Sequence, residues 1–173
     1  MAEKSIMEII KERRSIRSFS DEEISDTVIR MILEAGIYAP SGKNRRPWRF
    51  AVIKNKSILR EISMLTVVSR FIRNAGALIL VYVKSDGKYP LEKDILSIGG
   101  CVQNILLSAT GIGISTCVIG ELFGKEMDID KIVKIEHSDM GLVCGIALGK
   151  SEEESPTQET FSLKDHLLSE VIN

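Results

Sequence analysis

Three guanidinium groups and a hydroxyl fall within five residues at Arg13-Arg14-Ser15-Ile16-Arg17. Arginine's planar fork matches phosphate oxygens two at a time, and a serine hydroxyl or a loop N–H can complete such a cage. The same residues equally suit a solvated basic patch at a helix end, where cations complement the dipole. A second cluster, Ala39-Pro40-Ser41-Gly42-Lys43-Asn44-Arg45-Arg46-Pro47-Trp48, joins rigid prolines, a glycine, amide and hydroxyl groups and the only tryptophan of the chain. It can present hydrogen-bonding groups around a planar ligand with little entropy to lose, or simply lead a helix into a strand. Stacking of nucleic acid on that tryptophan is the weakest reading, because a formal net charge of -1 supplies no global basic field.

Side-chain nucleophiles are hard to assemble from the rest. There is no complete Walker-type GxxxxGK[ST], since Cys144 stands where the first glycine before Gly149-Lys150-Ser151 would be, and no G-x-S-x-G elbow. Gly111-Ile112-Gly113 follows a helical pattern and precedes a strand-like one, the reverse of a dinucleotide-binding loop, so a helix C-cap and turn account for both glycines. Cys101, Cys117 and Cys144 are odd in number, lack CxxC spacing and sit in apolar segments, which predicts buried free thiols. With only His137 and His166 besides, no metal site is expected. Any chemistry is expected to come from a bound cofactor rather than from a catalytic side chain.

The elements that must carry these clusters read as follows. Ser5 with Glu8 forms a capping box ahead of Ile6, Ile9 and Ile10, predicting a short helix that ends near Arg13. Ser20 with Glu23 forms a second box ahead of Val28, Met31, Ile32 and Ala35, predicting a helix that ends near Gly36. Residues 49–53 read as a strand and 77–83 as a strand buried on both faces, with a polar helical stretch between them. Ile95, Ile98, Val102, Ile105, Leu106 and Ala109 predict a long central helix. Strands over 114–119 and 142–148, with a short helix over 125–133, complete a mixed sheet with helices packed on it.

At 173 residues and 44% hydrophobic, the chain reads as a single domain over 1–173. Its acidic, helix-forming start is unlike a secretory signal, and the apolar run over 77–83 is too short to cross a bilayer, so a soluble cytoplasmic protein with no membrane partner is expected. After Lys150 an acidic, polar tether precedes Leu163, Leu167, Leu168, Val171 and Ile172, an apolar stripe at helical spacing. Residues 151–173 therefore read as a tether and an arm, and packing over a twin subunit explains the tether better than a groove on the same chain.

Taken in order, RRSIRSFSDEEIS, APSGKNRRPWRF, ALILVYV, IGGCVQNILLSATGIGISTCVIGELFG and GLVCGIALGK resemble the nitroreductase family of flavoenzymes over the chain to Lys150. Five ordered matches are far more specific than any one of them. The resemblance implies an α+β fold, with a mixed, mainly antiparallel sheet flanked by helices. It also implies an intertwined homodimer whose two FMN sites are each built from both chains. By position, Arg13, Arg14 and Ser15 resemble the residues that hold the ribityl phosphate, and Arg17 the cation near the pyrimidine edge of the ring. Pro40, Ser41, Gly42 and Asn44 resemble the loop brought by the other subunit, with Arg46 standing where many members have glutamine. Ile119, Gly120 and Glu121 resemble the segment beside the ring, where a backbone N–H meets N5. Gly149 and Lys150 stand where members close the phosphate site, Lys150 being the one base before the acidic run.

The implied activity is an FMN-dependent NAD(P)H oxidoreductase of ping-pong mechanism, reducing a small acceptor such as a nitroaromatic or a quinone. Neither NADH nor NADPH is singled out. Reductive dehalogenation or other flavin chemistry on the same scaffold, or a non-catalytic flavin-binding dimer, stands as the alternative. The short stretch over 83–94 leaves little room for a lid, which predicts an open pocket.

Overall fold

The strand with the longest apolar run organises the molecule. In a computed structural model that describes residues 4–67, 69–136 and 139–151 with Ser162 and His166, this strand is Ala77–Lys84 (β2). It pairs antiparallel with Trp48–Ile53 (β1) on one side and Met140–Gly149 (β4) on the other. β4 in turn pairs antiparallel with Ser115–Ile119 (β3), giving the order β1-β2-β4-β3. The parallel component is a single bridge between Ser15 and Thr116 on the outer edge of β3.

Because strand side chains alternate between faces, β2 serves two cores at once. Ala77, Ile79, Val81 and Val83 join one, roofed by Asp26–Ile37 (α2) and Leu91–Gly111 (α5) through Ile29, Ile32, Ile98, Cys101 and Ile105. Leu78, Leu80 and Tyr82 join the other, under Lys56–Ser63 (α3), Ser69–Asn74 (α4) and Glu126–Val133 (α6). The three cysteines are free and buried, as their apolar surroundings predict. α5 closes at Gly111, and Gly113 at φ 76° turns the chain into β3, so both glycines act as cap and turn.

Ile6–Glu12 (α1) starts at the predicted capping box: the Glu8 N–H donates to Ser5 Oγ at 3.3 Å and the Ser5 N–H to Glu8 Oε2 at 2.7 Å. The second box is not used. α2 begins at Asp26, capped by Ser25, whose Oγ accepts from the Val28 N–H at 3.3 Å. Residues 15–24 are held in irregular, non-helical chain instead, because Ile16, Phe19 and Ile24 are buried and the Ser20 N–H donates to the Lys150 carbonyl at 2.8 Å. Tertiary packing thus overrides a good local cap signal. The buried face of α2 also falls on Ile29, Ile32 and Gly36, leaving Met31 about half exposed, because Gly36 admits Ile105 of α5 to within 2.7 Å of where a Cβ would stand. The expected arm through Leu163, Leu167, Leu168, Val171 and Ile172 lies outside the described residues.

Candidate functional site

The first basic cluster sits where α1 ends. The Arg13 N–H donates to the Ile9 carbonyl at 3.0 Å, and the chain then runs beside β3, where the Ile16 N–H donates to the Thr116 carbonyl at 2.9 Å. That bridge is parallel and isolated, and by Phe19 and Ser20 the chain lies against Gly149 and Lys150, at the Ser115 end of β3. The Arg14 guanidinium folds back onto the carbonyls of Lys11 and Arg13, at 2.5 and 2.8 Å. Arg17 reaches only the Ser15 carbonyl, at 3.4 Å, and Arg13 makes no side-chain hydrogen bond or ion pair among the described residues. Both charges are felt nearby: burial pushes the Cys117 thiol up, and Arg17, then Arg13, draw it partly back.

β3 brings two further predicted segments to the same edge. Ser115 pairs with Gly149, and Ser20 caps the Lys150 carbonyl, so residues 13–17 and the end of β4 are neighbours. Gly149 must be glycine, since a Cβ there would lie 2.4 to 2.8 Å from the Phe19 ring and its own Cβ. The Lys150 ammonium is ion-paired with Glu22. At the far end, Ile119 is buried and leads into the turn Gly120–Leu122, where a Cβ on Gly120 would meet nothing within 4 Å. Glu121 is tied down, its Oε2 accepting from the Val67 N–H at 3.1 Å.

The second cluster lies elsewhere. Gly42–Asn44 forms a single 3₁₀ turn before β1, with Ser41 Oγ accepting from the Arg46 N–H at 2.9 Å and Asn44 Oδ1 from Arg46 Nε at 3.2 Å. Pro40 and Ser41 lead into this turn from the end of α2. Trp48 is 4% exposed and belongs to the α2/α5 core, so it offers no stacking surface. An open cavity of about 300 Å³ beside the loop is lined by Arg45, Arg46, Pro47, Arg49, Lys84 and Asp86. β1 and β3 are the opposite edges of the sheet, and the registers set Trp48 level with Val83 and Gly141, but Thr116 level with Leu148. Three strand spacings and seven residues of rise put the two clusters at diagonal corners, roughly 25 Å apart.

The nitroreductase family model matches residues 10–67 and 64–150. This chain belongs to the nitroreductase family. An Archaeoglobus fulgidus relative carrying the name NADH dehydrogenase/NAD(P)H nitroreductase is 36% identical over 115 residues, covering 66% of each chain. A Methanothermobacter thermautotrophicus relative of the same name is 32% identical over 120 residues, covering 66% of this chain and 60% of that one. The chain thus spans no more than about two thirds of the length of either relative. A nitroreductase from Desulfovibrio desulfuricans, solved in complex with FMN at 1.70 Å, superposes with a TM-score of 0.87 at 31% identity, covering 99% of this chain and 100% of the other.

Within this nitroreductase fold, the residues gathered along β3 are Arg13, Arg14, Ser15, Arg17, Ile119, Gly120, Glu121, Gly149 and Lys150. Pro40, Ser41, Gly42, Asn44 and Arg46 are not brought to them. Sequence reasoning included Arg45 in the second cluster but passed over the residues that hold it there, Asp86, Tyr89 and Asp94. One signal was available, since Asp94 falls in phase with Ile98, Cys101 and Ile105 on the buried face of α5.

Proposed function

We propose that this chain is an FMN-dependent NAD(P)H oxidoreductase working as a homodimer, with each site shared between two copies. The observation that carries it is the row of cations along the open edge of β3, in a chain of the nitroreductase family. Arg13 and Arg17 fit a phosphate and an electron-rich ring. Among the described residues the Arg13 guanidinium is half-buried and makes no hydrogen bond or ion pair, and that of Arg17 is bound to a single carbonyl, while at the far end of β3 the backbone at Gly120 faces open space.

In this reading Arg13, Arg14 and Ser15 hold the phosphate, Gly149 and Lys150 close its pocket, and Arg17 sits at the ring. The backbone at Ile119, Gly120 and Glu121 lines the ring's edge. When bound, FMN supplies two-electron chemistry, taking hydride from NADH or NADPH and passing electrons to a small acceptor such as a nitroaromatic or a quinone, in ping-pong order. The chain's own part is electrostatic: fixed cations and N–H donors stabilise negative charge where it develops, without reorganising at the moment of reaction. Hydride transfer onto the flavin, the first half of the cycle, requires no side-chain acid or base.

The distance between the two clusters supports the shared site. Residues 40–46 lie roughly 25 Å from Arg13–Arg17 and on the opposite edge of the sheet from Ile119–Glu121, so in this reading Pro40, Ser41, Gly42, Asn44 and Arg46 serve the site of the other copy. The apolar stripe of α1, with Ile6 68% and Met7 55% exposed, and Leu96 on α5 at 78%, offers surface for that contact.

The test is the visible spectrum of the protein after addition of FMN and desalting, followed by anaerobic NADH or NADPH. Retained flavin bands that bleach are the expected result. A colourless protein would remove the proposal, and retained bands that NAD(P)H leaves unbleached would favour a flavin-binding dimer without this catalysis.

A further inference from the structure

Residues 41–46 pass through the left-handed region at Lys43 (φ 53°), Asn44 (φ 55°) and Arg46 (φ 50°), none of them glycine. Side chains crowd the backbone there, so such a loop keeps its shape only when its surroundings dictate it. Part of the constraint is internal, the Asn44 N–H donating to the Ser41 carbonyl and the Arg46 N–H to Ser41 Oγ, both at 2.9 Å. The rest comes from the start of α5 and the residues before it. Gly42 lies so close to Tyr89 that a Cβ would stand 2.1 Å from its hydroxyl, and its N–H donates to Ser97 Oγ at 3.4 Å.

Arg45 is the centre of this contact. Its guanidinium lies 5.0 Å from the centre of the Tyr89 ring and meets Asp86 two-pronged, at 2.9 and 3.2 Å. Behind it stands Asp94, fully buried in the first turn of α5, 3.5 Å from Arg45 Nε. Among the described residues neither Asp94 carboxylate oxygen accepts a hydrogen bond. A carboxylate in that position depends on the cation opposite, because removing the partner would leave a buried charge uncompensated. Helix α5 is fixed by its core, so Asp94 dictates where Arg45 goes, and the loop follows Arg45.

The geometry points to Asp94 and Arg45 as a buried clamp that positions residues 41–46, making both positioning residues for the ligand that the loop meets. This rests on the flavin reading above for the identity of that ligand. Asp86, 46% exposed at its side chain, and Tyr89 complete the clamp from outside. None of the four is assigned a contact with the flavin.

Trypsin reads the loop directly, since it cuts after Lys43 and Arg45 only when that backbone leaves its folded shape. Asp94→Asn, Arg45→Gln, Asp86→Asn and the Asp94/Arg45 double variant are compared in the full chain, with FMN affinity followed by flavin fluorescence. Asp94→Asn is expected to raise cleavage after Lys43 at least tenfold, with cleavage after Arg60 and Lys131 unchanged, and to weaken FMN at least tenfold. The double variant is expected to do no more than Arg45→Gln alone, which already removes the contacts to Asp94, Asp86 and Tyr89 together. Asp86→Asn removes only the outer half of the clamp on the surface, so it keeps a folded reporter, with an effect of about threefold expected in the same direction. Cleavage rising equally at all sites, additive losses in the double variant, or a loop indifferent to all variants would each overturn the clamp. Selective cleavage with FMN affinity unchanged would overturn the positioning role. A wild-type chain that binds no FMN while the loop still responds would overturn the flavin reading alone and leave the clamp standing.

Discussion

Arg13 is half-buried, yet its guanidinium makes no hydrogen bond or ion pair among the described residues, which leaves its charge available to a phosphate. A charge-assisted hydrogen bond contributes about 1.5–3 kcal/mol. Arg13→Ala is therefore expected to weaken FMN at least tenfold in a fluorescence titration, with the urea midpoint unchanged; unchanged affinity would move the phosphate off this site. The cysteines test the core at the same scale. Burial pushes the Cys101 and Cys144 thiols up to about 12 from an ordinary 9.0. The reactive thiolate is thus suppressed in the folded state, and the protonated form is favoured until pH rises well past 9. At pH 8 both should resist iodoacetamide in the native protein and alkylate fully in guanidinium, as read by mass spectrometry. The first basic cluster was legible because its residues are contiguous. The contact of Arg45 with Asp94 was not, because it joins residues far apart in sequence that meet only when α5 docks on the sheet.

For the secondary elements, the two candidate caps before α2 separate local from tertiary control. Ser25 caps the helix and Ser20 does not, so Ser25→Ala should cost about 1 kcal/mol in urea unfolding. Ser20→Ala should stay within about 0.5 kcal/mol, because among the described residues only its backbone N–H is used. Equal losses would restore the predicted box. Helix α1, the two-faced strand β2 and the long helix α5 could be read from caps and periodicity, which are local signals. The irregular run over 15–24 could not, since its shape is set by burying Ile16, Phe19 and Ile24 and by hydrogen bonds to β3 and to Lys150.

For the whole molecule, the diagonal separation of the two clusters makes association part of the proposed function. The tail read from the sequence as a tether and apolar arm gives a direct probe of it. A chain ended after Lys150 is expected to dissociate to monomers, by light scattering, at concentrations where the full chain is dimeric. An undisturbed dimer would confine the interface to the first 150 residues, where the exposed side chains of α1 and Leu96 already offer apolar surface.

By itself the sequence determined the family, through five ordered motifs, and most of the elements, because caps, glycine turns and apolar periodicity act within a few residues of where they are written. Tertiary structure decided which edge of the sheet receives residues 13–17 and why Trp48 is core rather than a stacking surface. It also decided that the two basic loops lie at opposite corners of one chain. Those outcomes depend on strand order and register, which arise from long-range pairing and from the packing of α5 across the sheet, and no window of sequence contains both partners.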